Sequence, residues 1–222
     1  MVSGLSRRLE EVEERIHRAC QRSGRRREEI TLVAVTKTFP ADVILEAHSL
    51  GLRDFGENYV QEFEQKAARV RQLEGARFHL IGHLQSNKSR RAAELFDVIQ
   101  TVDSAKLARR LDAAGRPLEV MIEVKLSPEE TKAGCAPEDL PGLMDSIRAL
   151  PNLRLTGLMT MPPWADEAEF SRPYFRRLRE LAQTCGLSGL SMGMSHDFEV
   201  AIEEGATHIR VGTALFGPRS RG

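Results

Sequence analysis

The chain has 222 residues, 41% of them apolar and 29% charged, a balance that supports a packed core and argues against disorder. Lysine plus arginine and aspartate plus glutamate each total 32, so a formal net charge of zero gives no electrostatic basis for a nucleic-acid or membrane partner. Cys20, Cys135 and Cys185 are far apart and form no C-x-x-C, which speaks against a disulfide framework or a zinc site and for a reducing compartment.

In chain order, Leu5, Leu9, Val12, Ile16 and Ala19 recur at steps of four and three, predicting an amphipathic helix over residues 1–24 that closes near Gly24. Its N-terminus is too charged for a signal peptide, and no apolar run reaches the roughly 18 residues of a membrane span, so a cytoplasmic protein is expected. Arg25, Arg26 and Arg27 stand beside Glu28 and Glu29 and read as a solvated turn. TLVAVTK (31–37) is a short β-branched apolar run and reads as a buried strand. Strand-like segments follow near 53–56, 77–82, 97–101, 118–125, 153–160, 189–193 and 207–211. Helix-like segments lie between them near 40–50, 58–73, 86–94, 103–113, 137–149, 165–184 and 197–204, and residues 217–222 form a tail.

Eight strands alternating with helices call for a parallel sheet with helical crossovers. The expectation is an α/β fold, one (β/α)8 barrel of the TIM type spanning 1–222 as a single domain, with an extra N-terminal helix packed on it. An open parallel sheet is the alternative, because several strands are short.

In such a barrel, chemistry sits at the C-terminal strand ends and in the loops after them. Those positions are Lys37 after strand one, Asn58 after strand two, His83 after strand three, Lys125 after strand five, Met159, Thr160 and Met161 after strand six, Ser195 after strand seven, and Arg210, Gly212 and Thr213 at strand eight. Lys37 shares strand parity with Val33 and Val35. On an apolar inner face, desolvation lowers an amine's pKa and makes it nucleophilic toward a carbonyl, although a carboxylate partner would make Lys37 structural instead. Ser195 precedes the helical HDFEVAIEE and reads as its N-cap, and Gly212 lets the backbone approach an anion, so the loops after strands seven and eight suit a phosphate. Arg210 lies between Ile209 and Val211. It either faces a ligand or pairs across the interior with a strand-five carboxylate on the face shared by Glu119, Met121, Glu123 and Lys125. His83 and His196 are candidate acid–base groups, with an ordinary polar loop residue as the alternative. Met159 and Met161 suit packing as well as recognition.

The segments LVAVTKTFP (32–40), FGENYVQE (55–62), FHLIGHLQSNK (78–88), GLMTMPP (157–163) and LSMGMSHDFEVAIEEGATHIRVGTALFG (190–217) resemble those of the pyridoxal phosphate homeostasis protein family. The resemblance spans nearly the whole chain. It implies a barrel like the N-terminal domain of alanine racemase and a Schiff base between Lys37 and pyridoxal 5′-phosphate. It sets the cofactor phosphate against Ser195 and the backbone of Gly212 and Thr213, aims Arg210 at the pyridine nitrogen, and brings Asn58, His83 and Met161 near the cofactor. Some relatives carry a second lysine two residues after the Schiff-base lysine; here that position is Phe39.

The resemblance points to a carrier that keeps free pyridoxal phosphate low and supplies it to dependent apoenzymes, expected to act as a monomer and without robust catalysis. The alternative is an alanine-racemase-like amino acid racemase of low activity. Two-base racemisation needs a group on each substrate face. In the racemases that this barrel resembles, the second is a tyrosine supported by an added C-terminal β domain. Here Tyr59 and Tyr174 are the two tyrosines, and the chain ends just past its last predicted strand. A sugar-phosphate enzyme that forms an imine on Lys37 is a third class, which accounts for a phosphate site but not for the full set of motifs.

Overall fold

The computed structural model describes residues 4–127 and 133–218. Eight parallel strands close into a barrel in chain order, each hydrogen-bonded to its sequence neighbours and the last to the first. They are β1 (Thr31–Val35), β2 (Asp54–Glu57), β3 (Arg77–Leu80), β4 (Val98–Val102), β5 (Leu118–Glu123), β6 (Leu153–Met159), β7 (Gly189–Met194) and β8 (His208–Val211). The predicted barrel is therefore the observed fold, and the open-sheet alternative is discarded.

Helix α1 (Gly4–Ser23) precedes the barrel. Crossovers α2 (Ala41–Ser49), α3 (Val60–Val70), α4 (Ser89–Leu95), α5 (Ala105–Asp112), α6 (Leu140–Arg148), α7 (Arg172–Thr184) and α8 (Phe198–Glu203) surround it. A last helix, α9 (Thr213–Phe216), follows β8 directly and was not expected. Its four residues are too few for a helical period to register. None of the described helices is long and apolar enough to cross a membrane.

Strand parity sorts side chains into two layers. On β1, Leu32 and Ala34 join the apolar layer under the helices, while Val33 and Val35 point inward. A Cβ added to Gly56 would lie 3.0 Å from Val33 Cγ1 and 3.1 Å from Ile81 Cδ1, which identifies that inner face. On β5, Val120 and Ile122 face the helices, leaving Met121 and Glu123 inside.

Helix α1 buries Leu5, Val12, Ile16 and Ala19 and packs on α8 and α9. Gly24 ends it at φ 66°, and Arg25 N–H donates to Cys20 O at 2.9 Å, the bond pattern by which a left-handed glycine closes a helix. Several boundaries fall inside the predicted ones. β1 stops at Val35 rather than residue 37, β3 at Leu80 rather than 82, and β5 at Glu123 rather than 125. Helix α7 starts at Arg172 rather than near 165, because Pro173 sits in its first turn and residues 160–167 form a loop ahead of it. Of the predicted tail, residues 219–222 lie outside the described residues.

Candidate functional site

Lys37 sits in a turn just beyond β1, half-buried. Thr36 N–H extends the β1 ladder to Gly56 O at 2.9 Å, and Phe39 N–H closes the turn on Thr36 O at 3.1 Å. Thr38 has φ 69°, the one non-glycine residue in the left-handed region among the described residues. That conformation costs energy for a β-branched residue and persists only where its surroundings enforce it.

A charged cluster centred on buried Glu57 and Lys66 does so. Glu62 Oε1 accepts from Thr38 N–H at 2.6 Å. Lys66 Nζ donates to Glu62 Oε1 at 2.7 Å, to Glu57 Oε1 at 2.9 Å and to Thr36 O at 3.1 Å, and Thr36 Oγ1 donates to Glu57 Oε1 at 2.7 Å. The residues on both sides of Lys37 are thus held by Glu57, Glu62 and Lys66. Burial raises the Glu57 carboxyl, and the charge and hydrogen bonds of Lys66 pull it part of the way back.

Next to β1 in the closed barrel stands β8, with Val33 in register with Arg210 and Ala34 with Val211. This brings Lys37, Arg210, Gly212 and Thr213 to one sector of the barrel mouth. Ser195 joins them from the loop after β7. Its Oγ accepts from Gly212 N–H at 3.1 Å and Ala214 N–H at 3.2 Å. Ser195 therefore caps α9, not the helix after it in sequence, which corrects the expected N-cap of HDFEVAIEE. The residue at the N-cap position of α8 is Asp197, whose carboxylate accepts from Met194 N–H and Ser171 Oγ–H, both at 2.7 Å.

The N-terminal helix braces the same loops. Arg8 Nε donates to Leu215 O at 2.6 Å, and Arg15 Nη2 donates to Ser195 O at 3.4 Å while its guanidinium lies 4.3 Å over the Phe198 ring. Phe39, two residues beyond Lys37, packs on Phe216 of α9 with ring centroids 5.3 Å apart. The lysine turn and the last helix are one packed unit.

Arg210 is buried, and its guanidinium bonds go to uncharged acceptors, Nη1 to Ser191 Oγ at 2.7 Å and Nη2 to Thr160 O at 3.0 Å. Burial lowers its pKa to about 10, so it remains a cation near neutrality. The alternative of a cross-barrel ion pair with strand five is not formed among the described residues. Glu119 turns instead to Arg77 and Arg154, while Glu123 acts on Arg210 only through space. Glu123 Oε2 is buried without a hydrogen-bond partner, and burial raises that carboxyl against the opposing charge of Arg210.

A cavity of about 720 Å³ opens at the mouth beside this sector, lined among others by His83, Glu123, Lys125, Met161, Trp164 and His196. Trp164 is 73% exposed and packs on the His196 ring at 5.1 Å. His83 Nδ1 lies 3.9 Å from Asp103 Oδ2. Met159 is fully buried, whereas Met161 belongs to the cavity wall. Asn58 lines a smaller hollow with His83 and Lys88, outside the main cavity. There the loops after β2 and β3 touch so closely that a Cβ on Gly82 would fall 2.3 Å from Asn58 O. The structure thus groups Lys37, Ser195, Arg210, Gly212 and Thr213, sets His83 and Met161 on the adjoining wall, and leaves Asn58 at the edge.

The family described as alanine racemase, N-terminal domain, matches residues 8–220. A pyridoxal phosphate homeostasis protein of Pseudomonas aeruginosa is 48% identical over 227 residues, covering 100% of this chain and 98% of that one. The chain belongs to the pyridoxal phosphate homeostasis protein family. A second member of that family, from Aquifex aeolicus, is 45% identical over 96% of this chain and 97% of its own. The solved structure of PipY from Synechococcus elongatus with pyridoxal phosphate bound is 41% identical, with a TM-score of 0.80 over 91% of this chain and 100% of that one. Alanine racemase of Clostridium difficile shares the fold at 14% identity, with a TM-score of 0.70 over 93% of this chain and 55% of the racemase.

Glu57, Glu62, Lys66, Gln100 and Ser191 escaped the sequence reading. Gln100 in VIQTV and Ser191 in LSMGM are polar residues within apolar strands, and that was a usable signal. The pairing of Glu57 with Lys66 carried no local mark.

Proposed function

We propose that this chain binds pyridoxal 5′-phosphate as a Schiff base on Lys37 and serves intracellular supply and homeostasis of that cofactor, the whole chain acting as one binding unit. The observation that carries the reading is the convergence of a lysine turn, a capped helix start and a buried arginine on adjacent strands β1, β7 and β8. Family membership adds that relatives over the full length are named for this role, and that PipY binds the cofactor.

The residues suit the group. When bound, pyridoxal phosphate supplies an aldehyde that condenses with an amine, with loss of water, and a pyridine ring that can draw electrons. Lys37 provides the amine from a turn that the Glu57–Glu62–Lys66 cluster keeps in one conformation. The N–H groups of Gly212 and Ala214 already converge on the Ser195 hydroxyl, the donor set that a phosphate needs. Arg210 offers a cation in a site with little solvent. A guanidinium does not readily give up a proton, so it leaves a pyridine nitrogen unprotonated and weakens the ring as an electron sink. Such a site favours holding the cofactor over broad carbanion chemistry. Free Cys20, Cys135 and Cys185 agree with a reducing compartment.

The test is spectroscopic. Protein loaded with pyridoxal phosphate should show a visible absorbance band, and borohydride followed by peptide mapping should put the tag on Lys37. Lys37→Ala should abolish both. A missing band in the parent protein, or a tag on Lys125, would overturn the reading. Incubation with L-alanine separates carrier from racemase: sustained formation of D-alanine well above that with free cofactor would favour the racemase.

A further inference from the structure

The acceptor used by Arg210 is the first link of a longer chain. Arg210 Nη1 donates to Ser191 Oγ at 2.7 Å, and Ser191 Oγ donates to Gln100 Oε1 at 2.6 Å. Gln100 Nε2 lies 3.0 Å from His79 Nδ1, and His79 Nε2 lies 2.7 Å from Asp54 Oδ1. The members come from β8, β7, β4, β3 and β2, so the chain crosses the barrel interior from the mouth to the start of β2. Ser191, Gln100 and His79 have no exposed surface, and Arg210 is 4% exposed. Solvent reaches the chain at Asp54, whose side chain is 20% exposed. Water cannot replace a lost partner within it, and a buried polar group left unpaired is costly.

The direction of every bond follows from donor chemistry. A guanidinium only donates, so Ser191 Oγ accepts from Arg210 and its own hydrogen goes to Gln100. That orients the carboxamide oxygen toward Ser191 and the NH2 toward His79. An amide NH2 only donates, so His79 Nδ1 is bare and the ring hydrogen sits on Nε2, donating to Asp54. All four bonds run one way, from a cation to a carboxylate, through three uncharged groups. Bonds aligned in this manner polarise and strengthen one another.

We propose that Ser191, Gln100 and His79 are positioning residues that seat Arg210 toward the bound cofactor's ring and tie it to Asp54 at the opposite end of the barrel. This rests on the reading above, in which the ring faces Arg210. A carboxylate in place of Ser191 would neutralise the guanidinium where it meets the ligand. The chain instead satisfies it with a hydroxyl, while the carboxylates that oppose its charge, Asp197 and Glu123, act through space without bonding to it.

The chain also has a defined second state. A proton added to His79 Nδ1 would confront the Gln100 NH2, and the carboxamide would have to turn over. Ser191 Oγ would then face two donors, Gln100 and Arg210, and its own hydrogen would lose its partner. The groups around His79 that bear on this step are Asp54 from β2, Arg77 on β3, Gln100 from β4, Glu119 on β5 and His208 on β8, whose ring lies 6.3 Å from that of His79.

Two measurements test the chain. In the protein without cofactor, ¹⁵N NMR of the histidine rings should show His79 with hydrogen on Nε2 alone; hydrogen on both nitrogens, or on Nδ1 alone, would overturn the assigned direction. In absorbance titrations with pyridoxal phosphate, Gln100→Met should bind about tenfold more weakly, the scale of one unsatisfied buried group, and shift the visible band. Gln100→Glu should recover affinity to within about threefold, because its carboxylate accepts from Ser191 and from a protonated His79. A packing role predicts the reverse order, since Met preserves volume and Glu buries a charge. That reverse order, or a Gln100→Met indistinguishable from the parent, would overturn the proposal. Should Gln100→Met fail to fold, Ser191→Ala breaks the same link with less change in volume and carries the same expectation. If the parent protein does not load on Lys37, the functional reading falls while the NMR result still decides the chain. If the parent loads normally and Gln100→Met matches it, only the chain falls.

Discussion

Under Lys37, the charged groups Glu57, Glu62 and Lys66 grip the backbone on either side of one turn from the neighbouring β2 and α3. Under Arg210, the uncharged Ser191, Gln100 and His79 reach across the barrel to a carboxylate on the opposite end. Both networks have a buried centre, and both support a side chain proposed to meet the cofactor. The charged cluster compensates its charges on the spot, and what it delivers is a backbone conformation. The uncharged chain puts no carboxylate in contact with its cation, and what it delivers is a guanidinium still available to the ligand. Where geometry matters, local ion pairing serves; where electrostatics matters, neutral intermediaries serve.

The sharpest way to break this contrast is Lys66→Met. Glu57 has no exposed surface, so loss of its cation leaves a buried carboxylate with Thr36 Oγ1 as its remaining partner. Breaking a buried pair from one side costs about 3–5 kcal/mol, or about 6–20 °C in Tm for a chain of this size. Pyridoxal phosphate loading on Lys37 should fall with it. The double variant Lys66→Met/Glu57→Leu should regain most of the stability but not the loading, because Thr36 O and Glu62 still lack their donor. Recovery of both would mean that the cluster contributes only stability and does not position Lys37.

The end of the barrel where the uncharged network finishes should be acid-sensitive, through His208 beside His79. Burial lowers the pKa of His208 from 6.5 to about 4. A histidine with a depressed folded-state pKa contributes stability above its unfolded pKa and loses it as pH falls toward the folded value. Unfolding free energy should therefore drop by about 2–3 kcal/mol between pH 6.5 and 4, on the scale of 1.36 kcal/mol per pKa unit. Denaturant melts of the parent and of His208→Gln across that window isolate the contribution as their difference. A difference that does not change with pH would mean that His208 is already solvated and that the end of the barrel near His79 is wet.

The barrel itself was readable, because alternating β-branched runs and amphipathic stretches recur eight times and each strand end marks a position at the mouth. Lys37, Arg210 and Gly212 follow from that count and parity. The supporting networks do not. Glu57 and Lys66 are nine residues apart on a strand and the next helix, and their shared contact with Thr36 exists only once β1 and β2 are paired. Gln100 and Ser191 advertise themselves as polar residues in apolar strands, but their being partners requires a closed barrel. Ser195 shows the same limit from the other side. Its sequence neighbours offered a helix to cap, and it caps the one that closure brings alongside.

The finest test of the contrast is Thr38→Gly. Thr38 N–H donates to Glu62 whatever its side chain, so the variant keeps that bond and relieves only the strain of a threonine at φ 69°. Relief is worth about 1–2 kcal/mol, and the extra freedom of glycine in the unfolded chain takes back about 0.5–1 kcal/mol. Thermal melts should show a gain of no more than about 1.5 kcal/mol. The informative quantity is the rate at which Lys37 captures pyridoxal phosphate. If Glu62 and Lys66 alone set the turn, the rate stays unchanged, because the clamp acts on backbone atoms that glycine retains. If the β-branched side chain is needed to keep the turn from sampling other conformations, capture slows while stability rises, and the two effects of the same substitution carry opposite signs. That outcome would make Thr38 a strained residue kept for the sake of Lys37, and would show that the charged cluster holds the lysine turn without by itself making it rigid.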